Sequence, residues 1–242
     1  MKDDTAAALR TGEDGQALPP RELHSRGLKF PHHPQIMAGK IAKLLRRNVY
    51  EYKESEAALH VVKPGDVVLE LGAGIGYMSS LIATKCKPAA IHSFEANPRL
   101  IDYIGEVHAA NGVTCASVHN ALLAPEAGPA ADFFVRENLL ASSMIEENAG
   151  QIVAVERVEV RSLPVTLAEI RPTVLICDIE GAEATLLPCA DFTGLRAAVI
   201  ELHPQWIGQA GVQAVFDTMN RAGLTYFPRV SEGKVVAFRR GW

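Results

Sequence analysis

No stretch constrains the fold of this chain more than "VVLELGAGIGYMSS", Val67 to Ser80. An apolar strand carries Glu70 near its end, then come Gly72, Gly74 and Gly76, then a helix-forming run. Glycines at such a turn let the chain reverse tightly and let a ligand approach the backbone. Helix-start amides beyond them attract a carboxylate or a phosphate. The surrounding sequence alternates in the same way. "AIHSFEA" (90–96), "VTCASVH" (113–119), "TVLICDI" (173–179) and "RAAVIELH" (196–203) read as strands. Asn97 caps a helix with Pro98 at its first position, and Asn111-Gly112 ends it. "ADFFVREN" and "AVERVEVRSL" read as strands bracketing an irregular loop. Gly208 to Ala222 is a predicted helix, and "LTYFPRV" with "GKVVAFRR" a predicted C-terminal hairpin. The pattern is that of an α/β domain, whose ligands lie at the carboxyl ends of the strands.

The loop chemistry selects among ligands. Tyr77 stands where a dinucleotide-binding G-x-G-x-x-G wants its last small residue, which counts against NAD. Glu70 would repel a pyrophosphate but can pair with a cationic ligand. S-adenosylmethionine (SAM) carries an ammonium and a sulfonium and no phosphate. Glu95, at the end of the second strand, is placed to accept both ribose hydroxyls. Asn120, at the end of the third, offers the donor and acceptor that an adenine edge requires.

Composition narrows the class. With 242 residues and 48% hydrophobic content the chain supports one large packed domain. A net charge of −4 supplies no global field for nucleic acid or an anionic membrane. Cys86, Cys115, Cys177 and Cys189 show neither a C-x-x-C pair nor zinc spacing, so they read as reduced thiols of a cytoplasmic protein. The acidic start has no signal-peptide character, and no apolar run reaches the ~18–20 residues of a membrane span. Residues 1–33 are expected to be a mobile tail, and 34–242 one domain that includes a helical extension, 34–60. In that extension Pro34 to Arg47 reads as a helix with Lys40, Lys43, Arg46 and Arg47 around its apolar stripe.

The chain resembles the class I SAM-dependent methyltransferases, and more narrowly the FkbM-type family. The narrower likeness is carried by "CDIEGAEATLL" (Cys177–Leu187), "ENLLASS" (Glu137–Ser143), "SFEANP" (Ser93–Pro98) and "VIELHP" (Val199–Pro204). The resemblance implies a Rossmann-like, mostly parallel sheet of seven strands with helices on both faces and a C-terminal antiparallel hairpin. It also implies O-methylation of a small molecule, sugar or natural product. The candidate cofactor-binding set is Glu70, Gly72, Ala73, Gly74, Gly76, Tyr77, Glu95, Ala96, Asn97, Asn120, Ala121, Ser143 and Asp178.

Methyl transfer is an in-line displacement that needs a positioned acceptor and a base. Asp178 leaves an apolar strand over the same crevice as Glu70, and a carboxylate there needs a partner. The resemblance puts Asp178 near the sulfonium, with Glu180 toward the acceptor. Asp178, Glu180 and His203 are the candidate catalytic residues. Glu183 reads as an acid at a helix N-terminus, favoured by the macrodipole. Mg²⁺ held by Asp178, Glu180, Glu201 and His203 is conceivable, yet nothing in the spacing demands a metal and none is expected. Ser142, His32 and His33 are weaker candidates for lining the pocket.

The expected acceptor is a small molecule or glycan. Nucleic acid is disfavoured because the fourth strand exits into "DIEG" and not an Asn/Asp-Pro-Pro-aromatic motif for a flipped base. No membrane partner is expected, and the oligomeric state is open. Two other functions compete: a methyltransferase-like protein that binds SAM without turnover, and an NAD-linked oxidoreductase.

Overall fold

The computed structural model describes residues 22–37, 39–136 and 152–241. It begins with a hairpin, β1 (Glu22–Ser25) and β2 (Leu28–Pro31), followed by helices α1 (Gly39–Arg46) and α2 (Tyr52–Val61). Strand β3 (Val67–Leu71), helix α3 (Tyr77–Cys86), strand β4 (Ala90–Glu95), helix α4 (Pro98–Ala110) and strand β5 (Ala116–Ala124) then alternate. An antiparallel ribbon of β6 (Gly128–Arg136) and β7 (Ile152–Ser162) leads into α5 (Leu163–Ile170). The last third runs β8 (Val174–Cys177), α6 (Glu183–Leu186), β9 (Ala197–Glu201), α7 (Pro204–Arg221), β10 (Thr225–Tyr226) and β11 (Val235–Arg239).

One nine-stranded sheet carries the architecture, in the order β10-β11-β9-β8-β3-β4-β5-β7-β6. The chain winds outward from β3 through β4 to β5, then returns to lay β8 on the other side of β3. That reversal opens a crevice at the carboxyl ends of β3 and β8, the place where open α/β sheets bind ligands. The central strands are covered on both faces, so they read as continuous apolar runs. Helices α5 to α7 pack on one face around Leu175, Ile200, Val215 and Met219. The other face carries α2 and α3 over Val68, Ile82 and Val199.

Three expectations change. Among the described residues the sheet has nine strands and not seven, because "ADFFVREN" and "AVERVEVRSL" pair with each other and β7 adds to β5. Part of the expected tail is ordered: Arg26 and Gly27 turn at φ 50° and 83°, the left-handed geometry that a two-residue hairpin needs. Leu28 and Phe30 of that hairpin are buried in a cluster with Tyr77 and Tyr103. Its alternation is only two apolar residues long, too short to read as a strand. The helix expected from Pro34 starts only at Gly39.

Candidate functional site

The glycine loop, Glu95 and Asn120 come together at the ends of β3, β4 and β5. Gly76 is the N-cap of α3 at φ 73°, and a Cβ there would stand 2.9 Å from Ile104 Cγ2. Gly72, at φ 86°, is tighter still: its Cβ would lie 1.8 Å from the carbonyl oxygen of Asp178. Only glycine fits there, because the β3 loop and the exit of β8 touch backbone to backbone. Gly74 N donates to Glu95 Oε2 and Asn97 N to Glu95 Oε1, both at 2.8 Å. The amides thus fix the carboxyl of Glu95 at the loop. Burial nevertheless raises its pKa to about 7. Glu70 is 1% exposed; Ser93 Oγ donates to its Oε2, and Oε1 accepts no hydrogen bond. Burial lifts Glu70 to about 7 as well.

Asn120 lies within β5, level with Glu95, since that strand runs on to Ala124. Its Nδ2 donates to the carbonyls of Glu95 (2.9 Å) and Ala96 (3.1 Å), which leaves its Oδ1 as the group free to meet a ligand. Three members of the predicted set do other work. Tyr77 is fully buried, stacked on Phe30 and edge-on to Tyr50. Asn97 caps α4 through Arg99 N, and Ala121 is core. Gly74, Ala73 and Ala96 sit in the loops that face the crevice. Ser143, with Ser142, falls outside the described residues.

A second group gathers at the ends of β8 and β9. Asp178 follows β8 directly, and its N–H bonds Leu71 O at 2.9 Å. Glu180 and Gly181 then take left-handed conformations in succession, φ 52° and 101°. This double turn brings Glu180, Asp178 and Glu201 around one imidazole. His203 Nε2 lies 3.2 Å from Glu180 Oε2, 3.7 Å from Asp178 Oδ1 and 4.0 Å from Glu201 Oε1. Its Nδ1 lies 3.3 Å from Glu183 Oε1, and its backbone N–H donates to the same oxygen at 2.8 Å. The other oxygen of Glu183 accepts from Gly181 N at 2.8 Å. Glu183 opens α6, as expected of an acid at a helix N-terminus, but it is fully buried and is a buttress for His203 and the turn. Trp206, half-exposed, stacks on His203 with ring centres 5.2 Å apart.

Electrostatics follow from this crowding. Burial, reinforced by Glu201 and Glu180, holds Asp178 well above the usual carboxylate range. Burial raises Glu180 too, against the pull of His203. Burial lowers the imidazole of His203, but the hydrogen bond it gives to the Glu183 carboxylate and the nearby acids outweigh it, so its pKa rises. Two residues that sequence reasoning missed join from the N-terminal extension. Glu51 and Glu54 line a cavity of about 20 Å³ with Glu70, Gly72, Asp178 and Glu201. Burial, with Glu54 and Glu70 nearby, lifts Glu51 to about 8. In sequence both are acids at the start of a helix, where the macrodipole already accounts for them. His32 and His33 do not join the cluster; His33 sits edge-on to Tyr103 of α4.

Comparison with known proteins divides along the same line. The TRM5/TYW2 methyltransferase domain matches residues 45–122, the stretch from the end of α1 into β5. The residues carrying the FkbM-type resemblance lie mostly beyond that stretch, and the comparisons do not show that family. No curated protein sequence matches. Among solved structures, TYW2 from M. jannaschii in complex with AdoMet aligns with a TM-score of 0.50 at 13% identity, over 95% of this chain and 92% of its own. Trm5b from Pyrococcus abyssi aligns with a TM-score of 0.47 at 13% identity, over 94% of this chain and 58% of its own. TRM5/TYW2 proteins act on tRNA, which overturns the expected small-molecule or glycan acceptor and the exclusion of nucleic acid. O-methylation of a small molecule likewise finds no support. No helix among the described residues is long and apolar enough to cross a membrane. The chain has the Rossmann-like fold of class I SAM-dependent methyltransferases.

Proposed function

We propose that this chain is a SAM-dependent methyltransferase whose acceptor is an RNA of the tRNA class. The observation that carries this reading is the TRM5/TYW2 match, which covers Glu70, the glycine loop, Glu95 and Asn120 as one block. In this reading the adenosine lies over Gly72 to Gly76, with Glu95 taking the ribose hydroxyls and Asn120 Oδ1 meeting the base. Glu70 faces the cationic methionyl end of the donor. Asp178 stands beside the sulfonium, whose positive charge favours its ionised form.

The acceptor atom attacks the methyl carbon as the carbon–sulfur bond breaks, and the electron pair returns to sulfur. Glu180 takes the acceptor's proton. It is the most exposed of the three expected catalytic residues, and its raised pKa suits a base working near neutrality. His203, buried, turns Nδ1 to Glu183 and Nε2 toward Glu180, Asp178 and Glu201, and so holds the acidic rim together. The exposed ring of Trp206 offers a stacking face to a base splayed out of an RNA loop. Lys40, Lys43, Arg46 and Arg47 are exposed on and beside α1, a local basic band for phosphates despite the negative net charge.

Calorimetry with SAM, S-adenosylhomocysteine and NAD, followed by transfer of labelled methyl from SAM to total tRNA, tests the reading. Label that nuclease releases from the RNA is the expected result. Tight NAD binding, or SAM binding with no label in RNA, overturns it.

A further inference from the structure

The imidazole at the end of β9 is held in an unusual way for a structural histidine. Its Nδ1 faces a fully buried carboxylate, Glu183, while its Nε2 is turned toward three others. A histidine oriented from behind by a carboxylate is the arrangement that fixes a metal-binding tautomer. We propose that Asp178, Glu201 and His203 bind one first-row divalent cation, with Glu183 positioning the imidazole. One donor atom from each of these residues falls within 4.8 Å of the others. Donors about 2.1 Å from a shared ion stand at most ~4.2 Å apart, so closure of roughly half an ångström completes the site.

The surroundings also favour positive charge. Asp178 Oδ1 and Glu70 Oε1 are both buried without a hydrogen bond. The cavity beside Asp178 and Glu70, lined also by Glu51, Glu54 and Glu201 and adjoining His203 through Asp178 and Glu201, has no lysine or arginine among the described residues of its wall. A mixed set of two carboxylates and an imidazole selects Mn²⁺ or a later first-row ion over Mg²⁺, which prefers oxygen alone.

The inference deepens the acceptor half of the proposed function and rests on it for the cation's role, which is to polarise the acceptor atom. Binding of the cation itself requires no methyl donor, so it is tested without one. Chelator-stripped protein is titrated with Mn²⁺, and free Mn²⁺ is read by electron paramagnetic resonance. One saturable site per chain is expected. Glu201→Gln and His203→Gln should each weaken it at least ten-fold, while the remote Glu159→Gln leaves it unchanged. Because a variant can misfold, the wild-type complex is also examined by pulsed resonance, which should detect the nitrogen of a directly bound imidazole. Absence of a saturable site, a site lacking that nitrogen coupling, or unchanged affinity in well-folded variants overturns the proposal. SAM binding measured on the same stripped protein separates failure of the cation site from failure of the methyltransferase reading.

Discussion

The ends of β3, β4 and β5 and the ends of β8 and β9 form two sides of one crevice, built on opposite principles. On the first side the backbone is satisfied locally: Gly74 and Asn97 amides feed Glu95, and Asn120 ties β5 to β4. On the second side carboxylates crowd a single imidazole, and their mutual repulsion is left for a ligand to relieve. The first side is a rigid cradle that suits a constant cofactor. The second is charged and crowded, and it suits the cationic ligands proposed for it.

The largest effect should come where the two sides touch. Gly72→Ala drives a Cβ into the backbone of Asp178 and strains φ 86°, so neither side can keep its place. Urea unfolding should show a loss above ~4 kcal/mol, or no folded protein at all. A mild loss would mean that the two sides are not mechanically joined.

A second experiment sharpens the contrast through pH. Glu51, Glu70 and Glu95 are raised by burial to about 8, 7 and 7. A carboxyl raised in the folded state stabilises it while protonated, and that stability is lost as pH climbs from the unfolded value through the folded one. The ligand-free protein should therefore lose stability progressively between about pH 4.5 and 8. Thermal melts would record this as a falling Tm across the window. SAM, by favouring the ionised carboxylates, should flatten the profile. A flat profile without ligand would show the crevice to be better solvated than its burial implies.

The smallest effect belongs to the satisfied side. Glu95→Ala should weaken SAM binding by roughly 1–3 kcal/mol, the range for losing a charged hydrogen-bond partner. Its melting curve should change little in shape, since the sheet beneath is intact. Unchanged affinity by calorimetry would remove Glu95 from the ribose.

The same division explains what the sequence discloses. Glu70, the glycines and Glu95 lie within one β-α-β unit, so motif spacing alone brings them together. Asp178 and Glu180 are also legible, because acids leaving an apolar strand are anomalous. Glu51 and Glu183 are not, because each has an ordinary local explanation at a helix end. Only the sheet order, which sets β8 and β9 beside β3, reveals that they share a cavity with Asp178 or support its histidine neighbour. The nine-stranded sheet was hidden for a similar reason: the ribbon of β6 and β7 was readable as two strands, but their docking on β5 depends on long-range pairing.

The contact between Gly72 and Asp178 bears on how such a chain can diversify. Under the proposed function, substitutions at the tips of β8 and β9 would retune what is methylated without disturbing the cradle, provided residue 72 keeps no side chain. That one position is the toll point between inherited cofactor use and acquired selectivity, and drift on either bank must pass through it.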